Sequence, residues 1–152
     1  MIYELTGDIL AADVEAIVNP VNCVGIMGAG LALQIRDRFR ANFAAYAKAC
    51  RRGDMIPGRV MVYDRGVGMA PRWVVNFPTK RHWRDPSRIE DIEAGLADLV
   101  RAIRDRGIGS IAVPALGAGL GGLDWDQVKP RIVSALMPLD GVAVWIFGPR
   151  GL

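Results

Sequence analysis

The sequence is poor in the residues that most enzyme chemistry uses. His82 is its one histidine, which excludes His-rich metal centres and leaves little for a Ser-His-Asp triad. Its two cysteines, Cys23 and Cys50, are too few for a disulfide framework or a four-cysteine zinc site. Neither a metal nor a cofactor is expected. No apolar stretch approaches the ~20 residues of a membrane span. No basic-then-apolar leader follows Met1, so a cytoplasmic protein without a membrane partner is expected. The chain has no Gly-Lys pair, which excludes a P-loop. Lysine is scarce too: of 19 basic residues only Lys48, Lys80 and Lys129 are Lys.

What is present is a globular composition. Hydrophobic residues make up 51% and charged residues 23% of 152, enough for one domain with a real core and too apolar for disorder. A single domain over 1–152 is expected, as a small protein or as one excised from a longer chain. The formal net charge of +3 has an address. Pro78–Arg88 holds Lys80, Arg81, Arg84 and Arg88 against Asp85 alone, and the rest of the chain balances.

Apolar runs at Ile2–Leu5, Ala16–Val18, Arg59–Tyr63, Trp73–Phe77, Ser110–Val113 and Val142–Phe147 read as strands. Several are apolar at consecutive positions, which suits strands covered on both faces. Between them lie helical patterns. Leu31, Ile35 and Phe39 recur at helical spacing, and Phe43, Tyr46, Ala47 and Cys50 continue to a stop near Gly53. Ser87 and Glu90 have capping-box spacing before an apolar stripe from Ile89 to Ile103, closed by Gly107. A last helix over Gln127–Leu136 has Asp124 as cap and Pro130 early in it. The alternation predicts an α/β domain.

Two glycine-rich turns carry chemistry. Asn19–Gly30 follows the second strand, and Pro114–Gly122 follows Ser110–Val113; each leads toward a helix. There, free amides and the helix dipole favour an anion, and glycine removes the side chain that would block a phosphate. One such turn is ordinary turn chemistry. Two of them point to a diphosphate held between loops at the carboxyl edge of a sheet. Gly117, Gly119 and Gly122 also match G-x-G-x-x-G, but too late in the chain to leave room for a dinucleotide fold.

These residues resemble a macrodomain, the α/β module that binds ADP-ribose. The resemblance spans nearly the whole chain. It rests on Thr6-Gly7-Asp8-Ile9, Ala16-Ile17-Val18-Asn19-Pro20-Val21-Asn22, Gly25–Gly30 and Ala115–Gly121. Asn76-Phe77-Pro78-Thr79-Lys80 and Gly119-Leu120-Gly121-Gly122-Leu123-Asp124-Trp125 look most like the DarG antitoxin branch, akin to the terminal ADP-ribose glycohydrolases. That branch removes ADP-ribose from thymidine bases of DNA and reverses the DarT toxin.

The resemblance implies a central, mostly parallel mixed sheet of about six strands flanked by helices on both faces. It implies that Asp8, with the Ile9 backbone, meets adenine and that Asn22 holds the distal ribose. It places Gly28, Ala29, Gly30 and Leu31 on one side of the diphosphate. Pro114, Leu116, Gly117, Ala118, Gly119, Leu120 and Gly121 lie on the other. Lys80 would be catalytic. An acceptor-only carboxylate suits adenine N6, and an asparagine suits sugar hydroxyls. Gly121 departs from the pattern: the terminal ADP-ribose glycohydrolases carry an acid there, which puts their complete mechanism in doubt here. The Asn-Ala-Ala-Asn motif of the larger hydrolase class is also replaced, by Asn-Pro-Val-Asn.

The expected partners are ADP-ribose, ADP-ribosylated single-stranded DNA and a DarT-type toxin. Arg81, His82, Trp83 and Arg84 read as a DNA rim, Arg for phosphates and Trp or His for base stacking; they also read as a solvated loop with one aromatic packed down. Asn76 could orient Lys80 or satisfy a turn. Cys23 reads as a small packed side chain, since no base stands beside it in sequence. Two other functions stay open at this level: an ADP-ribose-binding module without catalysis, and a hydrolase of protein-linked or small-molecule ADP-ribose.

Overall fold

The computed structural model describes residues 1–149, so residues 150–152, the end of the expected domain, lie outside the described residues. In chain order the elements are β1 (Ile2–Leu5), a 3-10 turn (Ile9–Ala11), β2 (Ala16–Val21), α1 (Gly30–Arg38), α2 (Arg40–Arg51), β3 (Met61–Asp64), β4 (Trp73–Pro78), α3 (Ile89–Arg106), β5 (Ser110–Val113), α4 (Trp125–Leu136) and β6 (Ala143–Phe147). The six strands form one sheet in the order β1-β6-β5-β2-β4-β3. All neighbours are parallel except the β3–β4 pair, which is antiparallel.

The consecutive apolar positions do cover both faces. Ala16 and Val18 of β2, with Val75 and Phe77 of β4, point into a core shared with Ile92, Leu96 and Leu99 of α3 and Val128 and Ile132 of α4. The intervening Ile17 and Val74 point the other way, to Ile35 and Phe39 at α1 and to Ile9. This period of two explains why no polar residue alternates along these strands. Trp125 and Trp145 pack against these cores.

Several boundaries differ from the sequence reading, each for a physical reason. β2 runs on through Asn19 and Pro20 to Val21. Beyond Ile17 it pairs only with β4, and an open side tolerates a proline. β3 starts at Met61, not Arg59, because the Val60 amide donates to Asp98 Oδ2 of α3 at 2.8 Å. The capping box does not form. Arg88 is the N-cap of α3 without a side-chain bond, and Ser87 instead gives its backbone amide to Gly121. Gly107 closes α3 in the left-handed conformation, as expected. Asp124 caps α4 through the Asp126 amide, but the helix begins at Trp125 and runs through Pro130 rather than starting close before it. Only the first amides of a helix lack an intrahelical acceptor, so Pro130 removes one helix bond.

Candidate active site

Parallel pairing brings the carboxyl ends of β1, β6, β5, β2 and β4 to one edge. β5 and β2 are neighbours whose connections diverge: β5 leads through α4 to β6, and β2 leads through α1 and α2 toward β3 and β4. α4 lies against one face and α1 against the other. A crevice opens at such a switch point. Both glycine-rich turns border it and meet across it: a Cβ placed on Gly30 would sit 3.3 Å from Leu120 Cδ1.

The turns present backbone amides. Gly30 is the first residue of α1, and Ala29 caps it without a side-chain bond, so the Gly30 and Leu31 amides face the crevice end of the helix. In the second turn, Leu116 donates to Pro114 O, Ala118 to Ala115 O, Gly122 to Gly119 O and Leu123 to Gly117 O. That folding turns Gly119 and Leu120 outward, while Leu116 and Pro114 are buried. The Leu116 side chain belongs to the core, so it supports the turn from below.

Gly121 has a steric reason. A Cβ there would lie 2.4 Å from Gly117 O and 2.2 Å from Ser87 Oγ. An acid at this position does not fit the turn as built.

Asp8 follows β1, caps the 3-10 turn and accepts the Leu10 amide at 3.0 Å through Oδ1. Ile9 beside it is buried. The chain segments carrying Lys80 and Asn22 run side by side where β4 and β2 end. Val21 is the register partner of Pro78, and Val21 O accepts the amides of Thr79 at 2.8 Å and Lys80 at 3.4 Å. Cys23 donates its amide to Arg81 O at 3.3 Å. Lys80 is partly buried, and its Nζ donates to Trp83 O at 3.3 Å. Asp8 at β1 and Lys80 at β4 stand four strand spacings apart, ~19 Å, with the glycine turns between them.

Asn22 is buried and heavily engaged. Its Oδ1 accepts from the Tyr46 hydroxyl at 2.7 Å and the Val24 amide at 3.0 Å, and its Nδ2 donates to Ile26 O at 2.7 Å. Asn19, read as the start of the first glycine turn, and Asn76, read inside the strand Trp73–Phe77, are fully buried inside β2 and β4. Asn76 Oδ1 accepts from Asn19 Nδ2 at 3.1 Å and Asn42 Nδ2 at 3.2 Å, and its Nδ2 donates back to Asn42 Oδ1 at 2.8 Å. Asn42, Tyr46 and Ser87 had no place in the sequence-based site. Asn42 and Tyr46, four residues apart on α2, share a face, which their spacing could have signalled.

The basic segment is less free than its charge suggests. Arg81 Nε and Nη2 engage Asp91 at 3.2 and 3.3 Å. His82 and Trp83 have ring centroids 5.4 Å apart, and the Arg84 guanidinium lies 4.5 Å from the Trp83 centroid. Trp83 is exposed. These three present one mixed aromatic and cationic surface beside Lys80.

Cys23 is not poised as a nucleophile. Burial, then the nearby Cys50 and Asp91, push its thiol up to about 11. Among the described residues no group of three or more His, Cys, Asp or Glu could hold a metal ion. No helix among them is long and apolar enough to cross a membrane.

Residues 18–132 match the Macro domain family model. The chain is a macrodomain. Across 98% of its length it is 54% identical to the DNA ADP-ribosyl glycohydrolase of Thermus aquaticus, covering 41% of that protein. The chain therefore spans about two fifths of the length of the curated DNA ADP-ribosyl glycohydrolases it matches. The structure of the Thermus aquaticus DarG macrodomain superposes with a TM-score of 0.94, with 97% of each chain covered. Thermosipho africanus DarTG, solved in complex with ADP-ribose, matches at 35% identity with a TM-score of 0.89, over 96% of this chain and 41% of that one. The macrodomain's six-stranded mixed sheet and its flanking helices follow the architecture expected from the sequence.

Proposed function

We propose that this macrodomain removes ADP-ribose from thymidine bases of single-stranded DNA and so reverses a DarT-type DNA ADP-ribosyltransferase. The observation that carries this reading is the placement of Lys80 at the end of β4. Its backbone lies beside the Asn22 loop, and its Nζ donates to the carbonyl of Trp83, whose exposed ring stacks with Arg84.

ADP-ribose lies along the edge in this reading, in the order of its parts. Adenine is at Asp8 and Ile9. The diphosphate lies between Gly28, Ala29, Gly30 and Leu31 on one side and Gly117, Ala118, Gly119, Leu120 and Gly121 on the other. The distal ribose is at Asn22, with its anomeric carbon toward Lys80. Helix N-terminal and turn amides favour a diphosphate. The DNA leaves the site past His82, Trp83 and Arg84, where an aromatic face suits an unpaired base and a cation suits a phosphate. Arg81 holds the segment on α3 through Asp91.

Lys80 acts as the nucleophile. Its neutral amine adds to the anomeric carbon as the bond to the base breaks. The base departs with the bonding electrons and takes the proton that the newly bonded nitrogen gives up. Ring opening gives a Schiff base, and water releases ADP-ribose and restores the amine. Borohydride during turnover should leave ADP-ribose reduced onto Lys80. No adduct with activity intact would instead give Lys80 an electrostatic role toward the leaving group. The substrate class is tested by comparing release of ADP-ribose from a modified thymidine oligonucleotide and from a modified protein. The reading expects release from the oligonucleotide. Release from the protein alone, or binding of ADP-ribose without release from either, would overturn it.

A further inference from the structure

Tyr46 is fully buried on α2, yet its hydroxyl reaches the Asn22 loop. It lies 2.7 Å from Asn22 Oδ1 and 2.9 Å from Asn22 O. A side-chain amide has two faces of nearly equal shape, one accepting and one donating. The Val24 amide at 3.0 Å and the Ile26 amide at 3.5 Å also point at Oδ1, and Ile26 O takes one Nδ2 hydrogen at 2.7 Å. Three donors on one oxygen leave Asn22 a single remaining role, that of a donor through its second Nδ2 hydrogen. Burial pushes the Tyr46 hydroxyl far above the usual phenol range, so it stays protonated and donating at neutral pH.

We infer that Tyr46 is a positioning residue that fixes Asn22 as a hydrogen-bond donor and thereby selects ligands carrying a distal ribose. The inference rests on the reading that Asn22 meets that ribose. It adds a residue from the buried face of α2, outside both glycine turns and the basic segment. The same face of α2 carries Asn42, which pairs with Asn76 of β4. One helix therefore braces β4 and the loop that leaves β2. The Tyr46 hydroxyl, the shortest of the contacts to Oδ1, acts with the Val24 and Ile26 amides and Ile26 O to keep Asn22 from flipping, so a sugar oxygen meets a preformed donor.

The test is calorimetric binding of ADP-ribose and of ADP, which lacks the distal ribose, to the wild type, Tyr46→Phe, Asn22→Ala and the double variant. Tyr46→Phe should weaken ADP-ribose about five- to tenfold and leave ADP within about twofold, and the double variant should be no weaker than Asn22→Ala. Equal loss of both ligands, or additive losses in the double variant, would make Tyr46 merely structural and overturn the inference. If Asn22→Ala weakens ADP-ribose and Tyr46→Phe does not, the inference alone fails; if Asn22→Ala has no effect, the placement of the ribose fails with it. Should Tyr46→Phe not fold, Asn22→Asp gives the answer, because it keeps the acceptor and removes the donor. It should lose the preference for ADP-ribose over ADP, and an unchanged preference would contradict the donor role.

Discussion

The backbone amide of Ser87 donates to the carbonyl of Gly121 at 2.9 Å. That bond ties the basic segment after β4 to the glycine turn after β5. The Ser87 hydroxyl is buried against the same turn and has no hydrogen-bond partner among the described residues. The loop carrying Lys80 and the loop read as a diphosphate cradle are thus tied to each other at Ser87 and Gly121.

Gly121→Ala should therefore destabilise the protein. The added methyl meets Gly117 O and Ser87 Oγ well inside contact distance, an overpacking that costs about 1–3 kcal/mol. Gly119→Ala meets nothing within 4 Å and should leave thermal stability unchanged. Thermal melts of both variants check this, and equal stability of the two would contradict the steric account.

Cys23 should be chemically quiet. With its thiol pushed up to about 11 by burial first, the reactive thiolate is a small fraction at neutral pH and grows as pH rises toward that value. Alkylation at neutral pH should be slower than that of a free thiol and accelerate with pH, and Cys23→Ala should keep hydrolytic activity. Rapid labelling at neutral pH together with loss of activity would place Cys23 in the chemistry.

Much of this architecture was legible in the sequence, and the reasons are physical. Consecutive apolar residues such as Val74 and Val75 reported a sheet covered on both faces, and the glycine turns reported their positions after β2 and β5. The capping box failed because Ser87 has a tertiary partner, Gly121, that local spacing does not encode. Asn19 reads as a turn residue because its bond to Asn76 of β4, which pairs in turn with Asn42 of α2, is displayed by no single segment. The charge count on Pro78–Arg88 treated Arg81 as free, while the fold pairs it with Asp91.

That pairing separates the arginines. Arg84→Ala should weaken binding to modified single-stranded DNA and flatten the log–log salt dependence by ~0.7 for each phosphate no longer neutralised, with free ADP-ribose binding unchanged. Trp83→Ala should weaken DNA binding by about 1–3 kcal/mol because a base no longer stacks on the indole, with the salt slope retained. Binding isotherms at several salt concentrations check both. A flat salt response in the wild type would remove the segment from DNA binding.

Lys80 is where binding and hydrolysis separate most directly. The decisive measurement is the rate of ADP-ribose release from an ADP-ribosylated thymidine oligonucleotide by wild type and Lys80→Ala, alongside the affinity of each for free ADP-ribose. The account predicts that Lys80→Ala binds ADP-ribose about as tightly as wild type but releases it from DNA about a hundredfold more slowly or worse. A variant that hydrolyses at the wild-type rate, or a wild type that binds and never releases, would contradict it.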